Sequence, residues 1–148
     1  MNLIAIVGAG TMGNGIAHVF AQKGHKVHLI DVQSNALDKA ILTIQKNLER
    51  QLNKGLISED IKRSTLNNIT LIDDIERGVA NADLVVEAAT ENSNIKKQIF
   101  ANLDRLAPAN CILASNTSSI SITELANVTN RPGKVIGMHF MNPVPIMK

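Results

Sequence analysis

The sequence first narrows the possibilities through what it lacks. One cysteine among 148 residues excludes both a disulfide framework and a zinc site built from cysteines. Tryptophan and tyrosine are absent and phenylalanine occurs three times, so a platform for stacking nucleic-acid bases is not expected. Fifteen basic and thirteen acidic residues leave a net charge of +2, too balanced to indicate nucleic-acid binding. No apolar run approaches the roughly 20 residues that cross a bilayer, so no membrane partner is expected either.

What is present is the composition of one globular domain, which we predict over residues 1–148. Apolar residues make up 45% of the chain and charged residues 19%, which argues against intrinsic disorder. Met1 and Asn2 lead directly into an apolar run, without the pattern of a signal or transit peptide, so we expect a cytosolic protein. The last ten residues are largely apolar around two prolines, so we expect that more protein follows; the alternative is a short apolar tail folded back on the sheet.

Short apolar runs alternate with longer segments of helical periodicity along the chain. The runs are almost continuously apolar, as in strands whose two faces are both buried. This alternation predicts an α/β protein of the Rossmann type: a doubly wound, mainly parallel sheet with helices on both faces. Gly24 is typical of a residue that follows a helix, whereas Ser58 and Ser121 are typical of residues that begin one. The predicted strands are Leu3–Val7, Val27–Asp31, Ile69–Ile72, Leu84–Ala88, Ile112–Ser115 and Val135–His139.

The strongest chemical signal is a glycine-rich loop between the first strand and the first helix. Gly8 allows a tight turn, Gly10 lets the backbone approach a pyrophosphate, and Gly13 lets the helix lie close to the sheet. Asp31 ends the next predicted strand, 18 residues past Gly13, where its carboxylate can bind ribose hydroxyls. The helix N-terminus adds free N–H groups that attract phosphates. This context predicts a dinucleotide site formed by Gly8, Ala9, Gly10, Thr11, Met12, Gly13 and Asp31.

Asp31 also indicates which dinucleotide is bound. Its carboxylate would repel the 2′-phosphate of NADP, and neither Val32 nor Gln33 supplies a cation to compensate. We therefore expect NAD as the cofactor. The alternative is a glycine turn that binds no ligand.

Among four histidines, only His139 is predicted at the carboxyl end of a strand, where sheets of this kind bind ligands. A histidine there can act as a general base near neutral pH, although a packing or capping role is the alternative. The polar run 115–119 follows the neighbouring strand and could hydrogen-bond a substrate or remain an ordinary loop. Glu87 and Glu91 flank the end of the fourth strand, where they could contact ribose hydroxyls or cap the next helix.

A basic stripe runs along the second long helix. Lys39, Lys46, Arg50 and Lys54 recur at spacings of seven, four and four. Such a stripe is usually a solvated face, but it could also meet a polyanionic ligand such as a nucleotide-bearing thioester.

Four motifs in this order resemble the 3-hydroxyacyl-CoA dehydrogenase family, and the bacterial 3-hydroxybutyryl-CoA dehydrogenases look most similar. They are the glycine run 8–13 with Asp31, Glu-Ala-Ala-Thr-Glu-Asn at 87–92, Ser-Asn-Thr-Ser-Ser at 115–119, and the run 137–145 around His139. The resemblance implies reversible NAD-linked oxidation of a 3-hydroxyacyl-CoA to its 3-oxoacyl-CoA. It further implies participation in fatty-acid or butyrate metabolism.

The resemblance also implies roles for individual residues. His139 matches the catalytic base, and Ser118 and Asn142 match residues that hold the substrate C3 oxygen and the nicotinamide end of the cofactor. Glu91 and Lys96 match cofactor contacts, while Lys54 matches a contact to the CoA moiety of the substrate.

Two features of the family are expected beyond this chain. They are a glutamate that orients the histidine, and a helical C-terminal domain that closes the active site and forms a homodimer. Without them, we expect this chain to bind NAD and to catalyse poorly. Two other functions stay open: a non-catalytic NAD-binding module, or another two-domain hydroxy-acid dehydrogenase. The presence of His139, Ser118 and Asn142 together favours the enzyme.

Overall fold

A computed structural model describes residues 1–142 and 144–145 of the chain. Strands and helices alternate through most of it, as the sequence pattern predicts. A short 3₁₀ turn at Pro132–Lys134 leads into the last strand. In chain order the elements are β1 Leu3–Val7, α1 Thr11–Gln22, β2 Lys26–Ile30, α2 Ser34–Asn53, α3 Glu59–Asn67, β3 Ile69–Ile72, α4 Ile75–Val79, β4 Leu84–Glu87, α5 Ser93–Leu106, β5 Ile112–Ser115, α6 Ile122–Asn127 and β6 Val135–Gly137.

The six strands form one sheet in the order β3-β2-β1-β4-β5-β6, and every pair is parallel. This confirms the predicted Rossmann-type fold. The chain winds outward from β1 to β3, then returns to the centre and winds outward again from β4 to β6. The strand order therefore reverses between β1 and β4, and sheets of this topology bind ligands beyond the carboxyl ends of the strands at that point.

Alternate residues of the central strand β1 face two separate apolar cores. Ile4 and Ile6 pack in a cluster that contains Ile16 of α1. Ala5 packs in the opposite cluster, which contains Phe100 of α5. All five residues are fully buried. A strand buried on both faces explains why β1 is continuously apolar rather than alternating.

The helix boundaries follow the local signals in the sequence. Gly24 follows α1 with a φ of +97°, a conformation that glycine adopts without steric cost. The Ser58 hydroxyl accepts the N–H of Ile61 at 3.2 Å, and the Ser121 hydroxyl accepts the N–H of Glu124 at 3.3 Å. Within the described ranges, no helix combines the length and apolar character needed to cross a bilayer.

Three predicted strands extend too far at their carboxyl ends, and the differences matter for the site. Strand β2 ends at Ile30, β4 at Glu87 and β6 at Gly137. Asp31 and His139 therefore lie just beyond the sheet rather than within it. For β6 the reason is its partner, because β5 ends at Ser115 and main-chain pairing stops opposite Gly137.

Candidate active site

In the glycine loop, two glycines leave no space for a side chain and the third does. A Cβ built on Gly8 would lie 2.7 Å from the carbonyl oxygen of Ala88, and Gly8 has a φ of +107°. A Cβ on Gly13 would lie 1.7 Å from the carbonyl oxygen of Gly8. At Gly10, by contrast, no described atom outside its chain neighbours comes within 4 Å of the same point. The loop thus packs backbone on backbone, except where the predicted pyrophosphate needs space.

Asp31 connects this loop to the end of β2. Its Oδ2 accepts the N–H of Ala9 at 3.0 Å, and its Oδ1 accepts the N–H of Gln33 at 3.0 Å. An ionised carboxylate offers about four acceptor positions, so others stay available for ligand hydroxyls. Val32, the next residue, is 79% exposed and brings no positive charge to this corner.

Glu87 lies inside the sheet, below the carboxyl edge where ligands of this fold bind, rather than at that edge. Its side chain is fully buried and accepts hydrogen bonds from the Lys96 ammonium at 2.5 Å, the Ser115 hydroxyl at 2.8 Å and the Ala89 N–H at 2.7 Å. Asn92 instead caps α5, since its Oδ1 accepts the N–H of Ile95. The expectation that Glu87 contacts a ribose or caps the next helix is therefore wrong. A carboxylate inside an apolar strand requires a buried cation, which is the signal that could have revealed its pairing with Lys96.

Glu91 links the loop after β4 to the loop after β5. Its Oε2 accepts hydrogen bonds from the Ser119 hydroxyl at 2.8 Å and the Thr117 hydroxyl at 3.0 Å. The Ser119 bond is the main cause that holds the pKa of the Glu91 carboxyl below its usual range, with the Thr117 bond and the positive charge of Lys96 acting in the same direction. Glu91 therefore stays ionised at neutral pH.

The loops that follow β4, β5 and β6 and the start of α1 line an open cleft of about 440 Å³. His139 and Ser118 both reach it and both are exposed. The cleft thus gathers side chains that are far apart in the sequence at the edge where the fold binds ligands. Its lining residues are Met12, Glu91, Asn116, Ser118, His139, Phe140 and Met141.

Two other histidines lie in environments unlike that of His139. His18 is buried in α1, where Nε2 hydrogen-bonds with Gln22 Oε1 at 2.8 Å and with Gln51 Oε1 at 3.2 Å. Burial lowers the pKa of His18. In β2, Nδ1 of His28 hydrogen-bonds the carbonyl oxygen of Gly78 at 2.9 Å.

Comparison with known proteins identifies the family to which the chain belongs. The family model "3-hydroxyacyl-CoA dehydrogenase, NAD binding domain" matches residues 3–148. The chain belongs to the 3-hydroxyacyl-CoA dehydrogenase family. The part matched is the family's NAD-binding domain, so NAD is the cofactor of this domain, as Asp31 predicts.

Individual members of the family are similar over nearly the whole chain. It is 47% identical over 145 residues to the probable 3-hydroxybutyryl-CoA dehydrogenase of Bacillus subtilis (strain 168), with 98% of this chain and 50% of the relative covered. The solved 3-hydroxybutyryl-CoA dehydrogenase of Escherichia coli K12 superposes with a TM-score of 0.96 at 42% identity, over 99% of this chain and 31% of that one. The (S)-3-hydroxybutyryl-CoA dehydrogenase of Ralstonia eutropha gives 0.95 at 45% identity, over 99% and 52%. The chain thus spans about half the length of the curated relatives it matches.

The structure brings together only some of the residues that the family resemblance singles out. His139, Ser118 and Glu91 share the cleft. Lys54 is exposed at the end of α2 and Asn142 is exposed after β6, and neither is among the described residues that line the cleft.

Sequence reasoning gave Asn116 no role of its own. Its Oδ1 accepts the N–H of Phe140 at 3.0 Å, directly beside His139. Only the paired ends of β5 and β6 bring these residues together, and they are 24 positions apart.

Proposed function

We propose that this chain is the cofactor-binding part of an enzyme that oxidises short-chain 3-hydroxyacyl-CoA to 3-oxoacyl-CoA with NAD. The observation that carries the proposal is the meeting of His139 and Ser118 in one cleft that begins at the glycine loop through Met12. NAD, when bound, accepts the hydride that leaves C3 of the substrate. The names of the relatives from Bacillus subtilis and Ralstonia eutropha support a short acyl chain.

In this proposal, His139 acts as the general base. Its exposed imidazole takes the proton from the C3 hydroxyl as the hydride departs, which leaves a carbonyl at C3 and an imidazolium on the enzyme. The Ser118 hydroxyl, which lines the same cleft, donates a hydrogen bond to the C3 oxygen and fixes its distance from the imidazole. Asn142 assists in holding the reacting ends of substrate and cofactor.

The cofactor residues fit a dinucleotide. Gly10 is exposed and leaves open the space that a Cβ would fill, so its backbone can approach a diphosphate. The free acceptor positions of Asp31 suit ribose hydroxyls, and Glu91 offers a second carboxylate farther along the cleft. Lys96 is fully buried against Glu87 and is not among the described residues that line the cleft, so the cofactor contact proposed for it requires that pair to open.

Lys54 is proposed to contact the CoA moiety. Its exposed ammonium ends the basic stripe of α2, where a phosphate could pair with it. A homodimer of the full-length protein, a cytosolic location, and a place in fatty-acid or butyrate metabolism remain parts of the same proposal.

Replacement of His139 by alanine tests the proposal in the full-length gene product. We expect NAD-dependent oxidation of 3-hydroxybutyryl-CoA, followed by NADH absorbance, to fall by about 10²- to 10⁴-fold, as for a lost general base. The affinity for NADH, measured by fluorescence titration, should barely change. His25→Gln is the matched control, because His25 packs against Phe20 rather than lining the cleft.

Other outcomes point elsewhere. Undiminished oxidation by His139→Ala would show that another group is the base. A wild-type protein that binds NADH but oxidises no hydroxyacyl-CoA would be a non-catalytic NAD-binding module. Turnover of free hydroxy acids in place of the CoA thioester would indicate another two-domain dehydrogenase.

A further inference from the structure

Asn116 has no part in the function proposed above, yet its side chain holds the segment that carries His139. Its Oδ1 accepts the N–H of Phe140 at 3.0 Å, and Asn116 lines the cleft with His139. We propose that Asn116 is a positioning residue for the reaction, because it fixes the backbone on the carboxyl side of His139 and thereby the direction of the imidazole. This inference rests on the proposed role of His139 as the base.

The hydrogen bond occurs where the sheet runs out of main-chain partners. Ser115 of β5 pairs with Gly137 of β6, and the N–H of Met138 donates to the carbonyl oxygen of Ser115 at 3.0 Å. In an evenly spaced parallel ladder, the next donor on the same strand is two residues later, at Phe140. By then β5 has ended, and the Asn116 side chain supplies the acceptor.

His139 therefore lies between two anchored N–H groups, those of Met138 and Phe140. The anchor on the carboxyl side is itself fixed to the centre of the sheet, because the N–H of Asn116 donates to the main-chain oxygen of Glu87 at 2.9 Å. A short amide side chain on a fixed backbone has few conformations to lose, so it suits this task.

The ring of Phe140 makes a second contact, with Phe20 of α1. The ring centroids are 6.0 Å apart and the planes meet at 70°. An apolar edge-to-face contact restrains where the segment lies but allows it to slide and rotate. The hydrogen bond to Asn116 is the directional contact, so this bond sets the orientation of His139.

Two substitutions of Asn116 separate positioning from general stability. In the full-length gene product, Asn116→Ala removes the acceptor, and we expect kcat for 3-hydroxybutyryl-CoA oxidation to fall about 10- to 100-fold, as for a misplaced reacting group. KM and the NADH dissociation constant should change less than about threefold, because ground-state binding does not depend on the imidazole direction. Asn102→Ala is the matched control, since Asn102 is exposed on α5 and pairs only with Arg105 among the described residues.

Asn116→Asp keeps an acceptor at the same position and adds a negative charge to the cleft. We expect it to restore kcat to within about tenfold of the wild-type value. The added charge favours the imidazolium, so the acidic limb of the pH–rate profile should move to higher pH. Loss of stability alone would not move this limb.

A measurement independent of catalysis completes the test. Exchange of the Phe140 amide hydrogen, followed by NMR, should be at least about tenfold faster in Asn116→Ala than in the wild type and Asn102→Ala. Unchanged exchange, or wild-type kcat in Asn116→Ala while His139→Ala is inactive, would overturn the positioning role and leave the proposed function intact. If the wild type oxidises no hydroxyacyl-CoA, the proposed function fails, and the exchange rates alone decide whether Asn116 holds the segment.

Discussion

On the glycine-loop side of the cleft, main chain packs directly on main chain: a Cβ at Gly13 would lie 1.7 Å from the Gly8 carbonyl oxygen. On the opposite side, the segment around His139 is held by the Asn116 amide and by a ring contact to Phe20. In the first region Gly8 and Gly13 leave no room for added atoms and Gly10 does, whereas the second region has an exposed imidazole beside open space.

Because of this difference, we expect substitutions in the two regions to affect different properties: cofactor binding in the first and the proposed reaction in the second. Substitutions that add atoms at Gly8 or Gly13 should disturb the fold and cofactor binding together, because the same backbone contacts serve both. Substitutions of the His139 side chain should act on the proposed reaction and leave the fold almost unchanged, because that side chain is exposed.

The substitution with the largest expected effect removes the cation of the buried Glu87–Lys96 pair, which lies between the two regions. Glu87 accepts from the Ala89 N–H, next to the glycine loop, and from the Ser115 hydroxyl, where the other loop begins. Lys96→Met leaves the buried carboxylate without its cation and should lower the free energy of unfolding by about 3–5 kcal/mol, measured in urea without NAD.

A neighbouring lysine provides the control for this prediction. Lys97 is partly exposed and its amine lies 3.6 Å from Glu124, so Lys97→Met should cost less than about 1 kcal/mol. The double change Glu87→Gln with Lys96→Met should recover part of the loss. Equal losses at Lys96 and Lys97 would contradict a stabilising role for the buried pair.

Gly13→Ala should disrupt the main-chain packing of the glycine loop. The added Cβ meets main-chain atoms that cannot rotate away, so we expect a loss of about 1–3 kcal/mol in unfolding free energy. We also expect NADH binding to weaken by about 10- to 100-fold in a fluorescence titration, equivalent to about 1.4–2.8 kcal/mol, because the displaced loop holds the diphosphate less well. Gly133→Ala is the control, because no described atom outside its chain neighbours lies within 4 Å of its Cβ position. Wild-type NADH affinity in Gly13→Ala would show that the loop can rearrange.

Gly10→Ala sharpens the comparison, because it should weaken NADH binding without changing the stability of the fold. The Cβ meets no described protein atom outside its chain neighbours, so the free energy of unfolding should stay within about 0.5 kcal/mol of the wild-type value. NADH binding should nevertheless weaken by about tenfold, equivalent to about 1.4 kcal/mol, because the methyl group occupies space beside the diphosphate. Unchanged affinity would mean that the diphosphate does not approach Gly10.

The smallest expected effect is on the pH dependence of stability, and it comes from His18, which is buried whereas His139 is exposed. Burial lowers the pKa of His18 from 6.5, an effect partly offset by its hydrogen bonds to Gln22 and Gln51, and its Nδ1 has no hydrogen-bond partner among the described residues. The unfolded chain then binds the proton more readily than the folded one. Stability from neutral His18 is therefore present above about pH 6.5 and is lost as the pH falls toward the lower folded pKa.

His18→Gln should remove this pH dependence. Between pH 7.5 and pH 5, the folding equilibrium constant of the wild type should fall relative to the variant, by no more than about tenfold per pH unit for one proton. Urea unfolding at several pH values measures the difference. Parallel curves for the two proteins would rule out a contribution from His18.

Much of this architecture could be predicted because its causes are local. Continuous apolar runs mark strands buried on both faces, and the structure places all six strands within two residues of their predicted ends. Gly8 could be assigned to a tight turn and Gly13 to a close contact, because the reason for each, a missing side chain, is visible in the sequence. The pairing of Glu87 with Ser115 could not, because those residues are 28 positions apart and meet only when β4 and β5 pair.

The sequence by itself thus determined the parallel fold, the dinucleotide loop and the family, since these depend on periodicity and on short motifs. The tertiary structure decided where each strand stops, and so which side chains meet at the rim. His139 reaches the cleft because β6 loses its main-chain partner at the end of β5 and the Asn116 side chain replaces it. Hydrogen bonds between distant segments depend on the register and length of neighbouring strands, which no local pattern encodes.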